Sequence, residues 1–101
     1  MPYFCVYGVD RTDLGDLRLR LRPEHRRRLR HHDEAVAVRL GGPLTDADGK
    51  MIGTMLVVEA EHRSLVEHYM EGDPYVLADL FDTLIITGFN WGLGQPEHLD
   101  G

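Results

Sequence analysis

The stretch MIGTMLVVEA, Met51–Ala60, decides the fold. From Ile52 to Val58 it shows almost no polar alternation. A strand with one face in water alternates polar and apolar side chains, so this one reads as a strand covered on both faces. Upstream, TDADGK (Thr45–Lys50) is a turn, and Ala35–Leu40 is a second strand that Gly41-Gly42-Pro43 terminates. Further back, Tyr3–Val9 is a short apolar run of β-formers, also a strand.

Between these strands the period changes. Leu14, Leu17 and Leu21 recur at i, i+3 and i+7, one face of a helix. Pro23 interrupts this pattern, and Arg22 before it is biased away from the helical region, so a joint is expected near Arg22 with a second helix running to about Glu34. Downstream, Glu61–Glu71 is a helix with Leu65, Val66 and Tyr69 on one face, and Gly72 suits its C′ position. Asp73-Pro74-Tyr75 starts a short helix through about Leu80. Thr83–Trp91 is the last strand and GLGQPEHLDG an irregular tail.

The order is βαββαβ, an α+β, ferredoxin-like antiparallel sheet with helices on one face. Residues 1–93 form a single domain and 94–101 a tail. MIGTMLVVEA and LIIT (Leu84–Thr87) are apolar on both faces. The second face of the sheet must be covered, and the chain has no segment left to cover it. A homodimer joined through the sheets or their edges is expected.

Composition bounds the function. At 101 residues and 43% hydrophobic, the chain builds one small core. No apolar run approaches the roughly 20 residues of a membrane helix. The start, Met-Pro-Tyr-Phe-Cys, lacks the basic and apolar regions of a signal peptide. The one cysteine, Cys5, lies in an apolar run and reads as an inert buried thiol, which fits a reducing cytoplasm. Net charge is −6, unevenly spread: seven arginines lie between Arg18 and Arg30, and the acids dominate from Gly41 onward. Such a dipolar chain is not a nucleic-acid binder, where basic charge prevails over the domain.

The basic segment RPEHRRRLRHH, Arg22–His32, carries the first candidate. Continuing the leucine stripe by helical steps puts His25 and then Leu29 on the buried face. His25 is thus either a core histidine satisfied by a backbone carbonyl or a general acid–base group tuned by burial. Arg26, Arg27 and Arg30 point elsewhere and read as a solvated face. Arg18 and Arg22 sit beside His25, where a guanidinium fork can hold a carboxylate, phosphate or phenolate; the alternative is a pair of surface salt bridges. His31 and His32 diverge by about 100° on a helix and do not share a metal. A dimer could assemble a site from His62, His68 or His98, but nothing in the spacing asks for it. No metal site and no cofactor signature is read.

The second candidate is Asp73, which suits a helix N-cap with Pro74 at N1. The same carboxylate can orient an imidazole through its other oxygen. Glycines at 41, 42 and 53 mark turns, bulges or close approach, and Thr54 has a hydroxyl to offer a ligand.

These residues together resemble the YciI-like (YCII-related) domain family. The pattern is Arg18, Arg22, Pro23, His25 and Leu29, then Gly42-Pro43 after a strand, Gly53-Thr54 opening the next, and Asp73-Pro74-Tyr75 after the second helix. It spans residues 2–91. The resemblance implies a ferredoxin-like fold forming a dimeric α/β barrel, with a histidine–aspartate pair carried onto His25 and Asp73. Arg18, Arg22, Pro43, Thr54 and Tyr75, all at positions of the pattern, are the expected substrate-binding residues. Relatives of the family include a dehydrochlorinase that eliminates chloride from a chlorinated hydroxyhydroquinone, which implies lyase- or isomerase-like proton transfer on a small anionic or aromatic molecule. A non-catalytic ligand-binding or accessory module of the same fold is the alternative. The chain departs from the family pattern at Arg26, where an apolar residue often follows the histidine.

Overall fold

The stretch Met51–Glu59 forms β3, a central strand of a four-stranded antiparallel sheet with order β2-β3-β1-β4. The computed structural model describes residues 2–31 and 33–96. His32, His98 and residues 97–101 of the expected tail lie outside the described residues. The elements are β1 (Tyr3–Asp10), α1 (Leu17–Arg30), β2 (Ala37–Thr45), β3 (Met51–Glu59), α2 (Arg63–Glu71), α3 (Pro74–Leu77) and β4 (Phe81–Phe89). This is the ferredoxin-like α+β order, with the β1–α1–β2 unit split by β3.

The strand register separates the two faces. Val6 pairs with Leu56 and Ile86, and Phe4 with Val58. These residues face the helices and join Val66, Tyr69 and Met70 of α2 in the main core, with Leu29 of α1 packed against it. A second cluster, Tyr75, Leu80 and Phe81, takes Leu14, Leu17 and Leu21. Continuous apolar character in β3 is explained by its position: Leu56 and Val58 are sealed under the helices, and Val57 on the other side is 3% exposed.

Four expectations are corrected. First, α1 runs unbroken through Pro23, with no joint at Arg22. Proline removes the bond to the carbonyl four residues back, here that of Leu19. Pro23 lies on the exposed side and Leu19 is 58% exposed, so water can meet that carbonyl. Second, α1 ends at Arg30, not Glu34. The Asp33 carboxylate captures the backbone N–H groups of Ala35 (2.8 Å) and Val36 (3.1 Å), holding a turn in place of helix. Third, Gly41-Gly42-Pro43 does not end β2, which continues to Thr45. β2 is an edge strand, where a missing proline N–H breaks no ladder. Fourth, Gly72 caps α2 at φ −93°, not in the left-handed region. A Cβ there would come within 2.9 Å of Arg28 Nη2, the mobile end of a side chain, so backbone sign does not demand a glycine at this position.

The second face of the sheet carries Tyr3, Cys5, Tyr7, Leu40, Met55 and Ile85, by their alternation with the core-facing positions. Part of the chain does reach it: Trp91 packs edge-on against Tyr3 and Phe89, with ring centroids 5.9 and 5.2 Å apart. The rest is open, with Tyr7, Leu40 and Ile85 at 40%, 39% and 47% exposure. Cys5 is half-buried and desolvation pushes its thiol pKa up.

Candidate active site

Helix α1 carries His25 to the seam between the two apolar clusters, as the leucine stripe predicts. Because α1 is unbroken, the register from Leu17 through Leu21 to His25 and Leu29 survives Pro23. The imidazole is 5% exposed. Across 48 residues of chain, its Nδ1 lies 2.9 Å from Asp73 Oδ2. Asp73 is wholly buried, and its Oδ1 accepts the backbone N–H of Tyr75 at 2.8 Å. The aspartate therefore caps α3 with one oxygen and holds the histidine with the other. Pro74 at the first turn fixes the chain direction that makes both contacts possible.

A carboxylate accepts only, so Nδ1 is the protonated nitrogen of a neutral His25 ring. Nε2 then carries the lone pair. Tyr75 fixes the ring plane: its phenol stacks on the imidazole, 4.0 Å between centroids and 19° between planes. Phe81 supports Tyr75 edge-on at 5.9 Å. Burial raises the Tyr75 phenol pKa, although Arg18 and Arg22 oppose the shift.

A cavity of about 150 Å³ opens beside His25. Thr54 of β3 and the β2 segment Gly41-Gly42-Pro43 line it on the sheet side, and Tyr75 of α3 borders it as well. Thr54 is 4% exposed, and its Oγ1 is buried with no hydrogen-bond partner among the described residues. Gly53 beside it is required by packing: an added Cβ would collide with the Gly8 carbonyl oxygen on β1. That contact lies between β3 and β1, one residue along the strand from Thr54.

The wall formed by α1 departs from expectation. Arg18, Arg22, Arg26 and Arg30 fall at successive i+4 positions and all line the cavity. Arg18 reaches it already neutralised. Its Nε and Nη2 grip the Asp10 carboxylate at 2.6 and 2.7 Å, nearly buried, and its guanidinium lies 4.6 Å over the Tyr75 ring. It buttresses Tyr75, and its fork is occupied. Arg22, by contrast, has no carboxylate partner among the described residues.

Arg26 and Arg30, read from sequence as solvated charge, line the cavity instead. The stripe logic placed them off the buried face, correctly, but the cavity opens along the flank of α1 and not beneath it. Arg27 does face outward, paired with Glu24. Arg28 is neither: its Nη2 donates to the Tyr69 carbonyl at 2.7 Å and its guanidinium stacks over the Tyr69 ring at 4.1 Å, tying α1 to α2. The spacing 18-22-26-30 was visible in the sequence; only the position of β2 shows what it faces.

Among the described residues, no group of three or more His, Cys, Asp or Glu side chains is placed to hold a metal ion. None of their helices is long and apolar enough to cross a membrane.

Comparison with known proteins follows the same lines. The chain is 27% identical over 93 residues to Protein YciI of Escherichia coli O6:H1, covering 85% of this chain and 94% of that protein. Protein YciI of Shigella flexneri matches to the same extent. Among solved structures, it is similar to 5-chloro-2-hydroxyhydroquinone dehydrochlorinase (TftG) from Burkholderia phenoliruptrix AC1100, in complex with 2,5-dihydroxybenzoquinone. That match has a TM-score of 0.72 and 30% identity, over 91% of this chain and 95% of the other. The model of the YCII-related domain matches residues 1–90, and the chain belongs to that family.

Proposed function

We propose that the cavity beside His25 is the active site of a lyase-type enzyme, working by acid–base chemistry on a small hydroxylated ring. The observation that carries this reading is the arrangement of His25, Asp73 and Tyr75. A buried carboxylate orients an imidazole, an aromatic ring fixes its plane, and the free nitrogen is left for a ligand. The dehydrochlorinase structure, with its quinone ligand, supports a ring-sized oxygenated substrate.

In the proposed step His25 Nε2 removes a proton from the substrate, and the electron pair left behind expels an anionic leaving group. The substrate loses HX in total: the proton resides on His25 and X departs as the anion. Asp73 stabilises the imidazolium that forms. Thr54 Oγ1 donates to a substrate oxygen, and Arg22 faces the negative charge that develops on the ring. Pro43 and Tyr75 shape the walls, and Arg18 holds Tyr75. The working unit is a homodimer joined across the open sheet face, a reading supported by exposed Tyr7, Leu40 and Ile85. A cytoplasmic setting is supported by the single cysteine.

The test is chloride release from 5-chloro-2-hydroxyhydroquinone, with binding of 2,5-dihydroxybenzoquinone measured in parallel. His25→Ala is expected to lower turnover by about 10²–10⁴-fold and to change binding much less. A variant with full turnover sinks the proposal. Wild-type protein that binds the quinone but releases no chloride favours the alternative, a ligand-binding module with the same cavity.

A further inference from the structure

The arginine wall of α1 narrows the substrate class. Resting on the proposal that the cavity is the active site, we infer that it takes a single-ring substrate bearing a carboxylate, held by Arg22 and Arg26. Four arginines line this cavity and no acidic side chain does. Among the described residues, only Arg18 of these four has its charge matched, by Asp10. Arg30 spends one N–H on the Arg26 carbonyl. Arg22 and Arg26 have no carboxylate within ion-pair distance among the described residues. Arg22 is close enough to the Tyr75 phenol to influence its ionisation, which puts its charge at the ring-stacking end of the cavity.

A second observation points to a ligand from the other side. Thr54 lines the cavity, and its Oγ1 is buried with no hydrogen-bond partner among the described residues. A buried hydroxyl left unpaired costs on the order of 1–3 kcal/mol, so a ligand that supplies the missing bond gains what the empty site lacks. Size sets the remaining limit. About 150 Å³ is the volume of an engineered apolar cavity that accommodates one benzene. One ring therefore fits, with a hydroxyl toward Thr54 and His25 and its carboxylate toward the open, cationic flank. Guanidinium forks grip carboxylates through two parallel bonds, whereas an uncharged quinol offers them nothing comparable.

The test compares 2,5-dihydroxybenzoate with hydroquinone by calorimetry at low ionic strength. The two differ by one carboxylate. The dihydroxybenzoate is expected to bind about tenfold or more tightly than hydroquinone, since a hydrogen bond to a charged group is worth that factor or more. Arg26→Leu and Arg22→Leu are each expected to remove most of this preference while hydroquinone binding stays within about twofold; Arg26→Lys is expected to keep part of it. Arg26 is exposed, and unchanged thermal unfolding of Arg26→Leu shows that it folds. Equal binding of the two probes, binding of neither, or equal weakening of both in the variants overturns the inference. The preference is read by binding alone. Its presence without chloride release would sink the lyase reading and leave this inference standing, and chloride release without it would do the reverse.

Discussion

The imidazole of His25 and the phenol of Tyr75 lie face to face, 4.0 Å apart and 19° from parallel. Stacking of this kind locks a ring that has only one hydrogen-bonded anchor, here Nδ1 on Asp73. Tyr75→Phe keeps the ring and is expected to retain most activity. Tyr75→Leu removes the plane that His25 rests on and opens space in the second core cluster. It is expected to cost about 2–4 kcal/mol in denaturant unfolding and at least tenfold in turnover.

Asp73 separates orientation from stability. Asp73→Asn keeps an oxygen for the Tyr75 N–H but turns an NH₂ toward His25. The histidine must then accept at Nδ1 and carry its proton on Nε2, the wrong tautomer for a base. Turnover is expected to fall on the order of 10²–10⁴-fold with the fold intact, and nitrogen NMR of the imidazole should report the exchanged tautomer. Asp73→Ala loses the cap as well and leaves Nδ1 buried without a partner. An unfolding loss of about 2–4 kcal/mol is expected for it.

Alkaline pH should weaken the fold before it disrupts isolated charge pairs. Burial pushes the Tyr69 and Tyr75 phenols above their ordinary value. A folded-state pKa raised above the unfolded one, about 10, means that the unfolded chain loses the proton first. The stabilisation from these phenols is complete below about pH 10 and is lost as pH rises through their raised values. Denaturation midpoints should begin a shallow fall near about pH 8.5, where the Cys5 thiol of the unfolded chain ionises, and a steeper one beyond about pH 10. Phenolate absorbance should lag behind that of free tyrosine until unfolding releases it.

Two glycines of the sheet, Gly53 on β3 and Gly42 on β2, should behave oppositely. A methyl on Gly53 collides with the Gly8 carbonyl oxygen, a backbone atom in the centre of the sheet, whereas a methyl on Gly42 meets nothing within 4 Å. Gly53→Ala is expected to cost about 1–3 kcal/mol or to prevent folding. Gly42→Ala should lie within about 0.5 kcal/mol of wild type in the same unfolding experiment.

The proposed homodimer is tested on the open sheet face. Ile85 is 47% exposed there, beside Tyr7. Ile85→Asp puts a charge into any interface across that face, and sedimentation should show monomer where wild type gives dimer. A wild-type monomer would refute the assembly and leave the cavity chemistry untouched.

Much of the fold was legible in local pattern. The unalternating MIGTMLVVEA is a central strand, the leucine stripe does place His25 inward, and Asp73-Pro74 does start a helix. Period and capping are local physics and can be read along a chain. The misreadings were also local rules, overridden by position: Pro23 is tolerated because its side of α1 faces water, and Pro43 because β2 is an edge. Which side chains meet is settled by the packing of the elements. His25 and Asp73 are joined because α1 crosses the sheet beside the start of α3. Arg18 is spent on Asp10, while Arg26 and Arg30 border the cavity because β2 continues past its glycines. Such pairings depend on long-range packing, which no spacing along the sequence encodes.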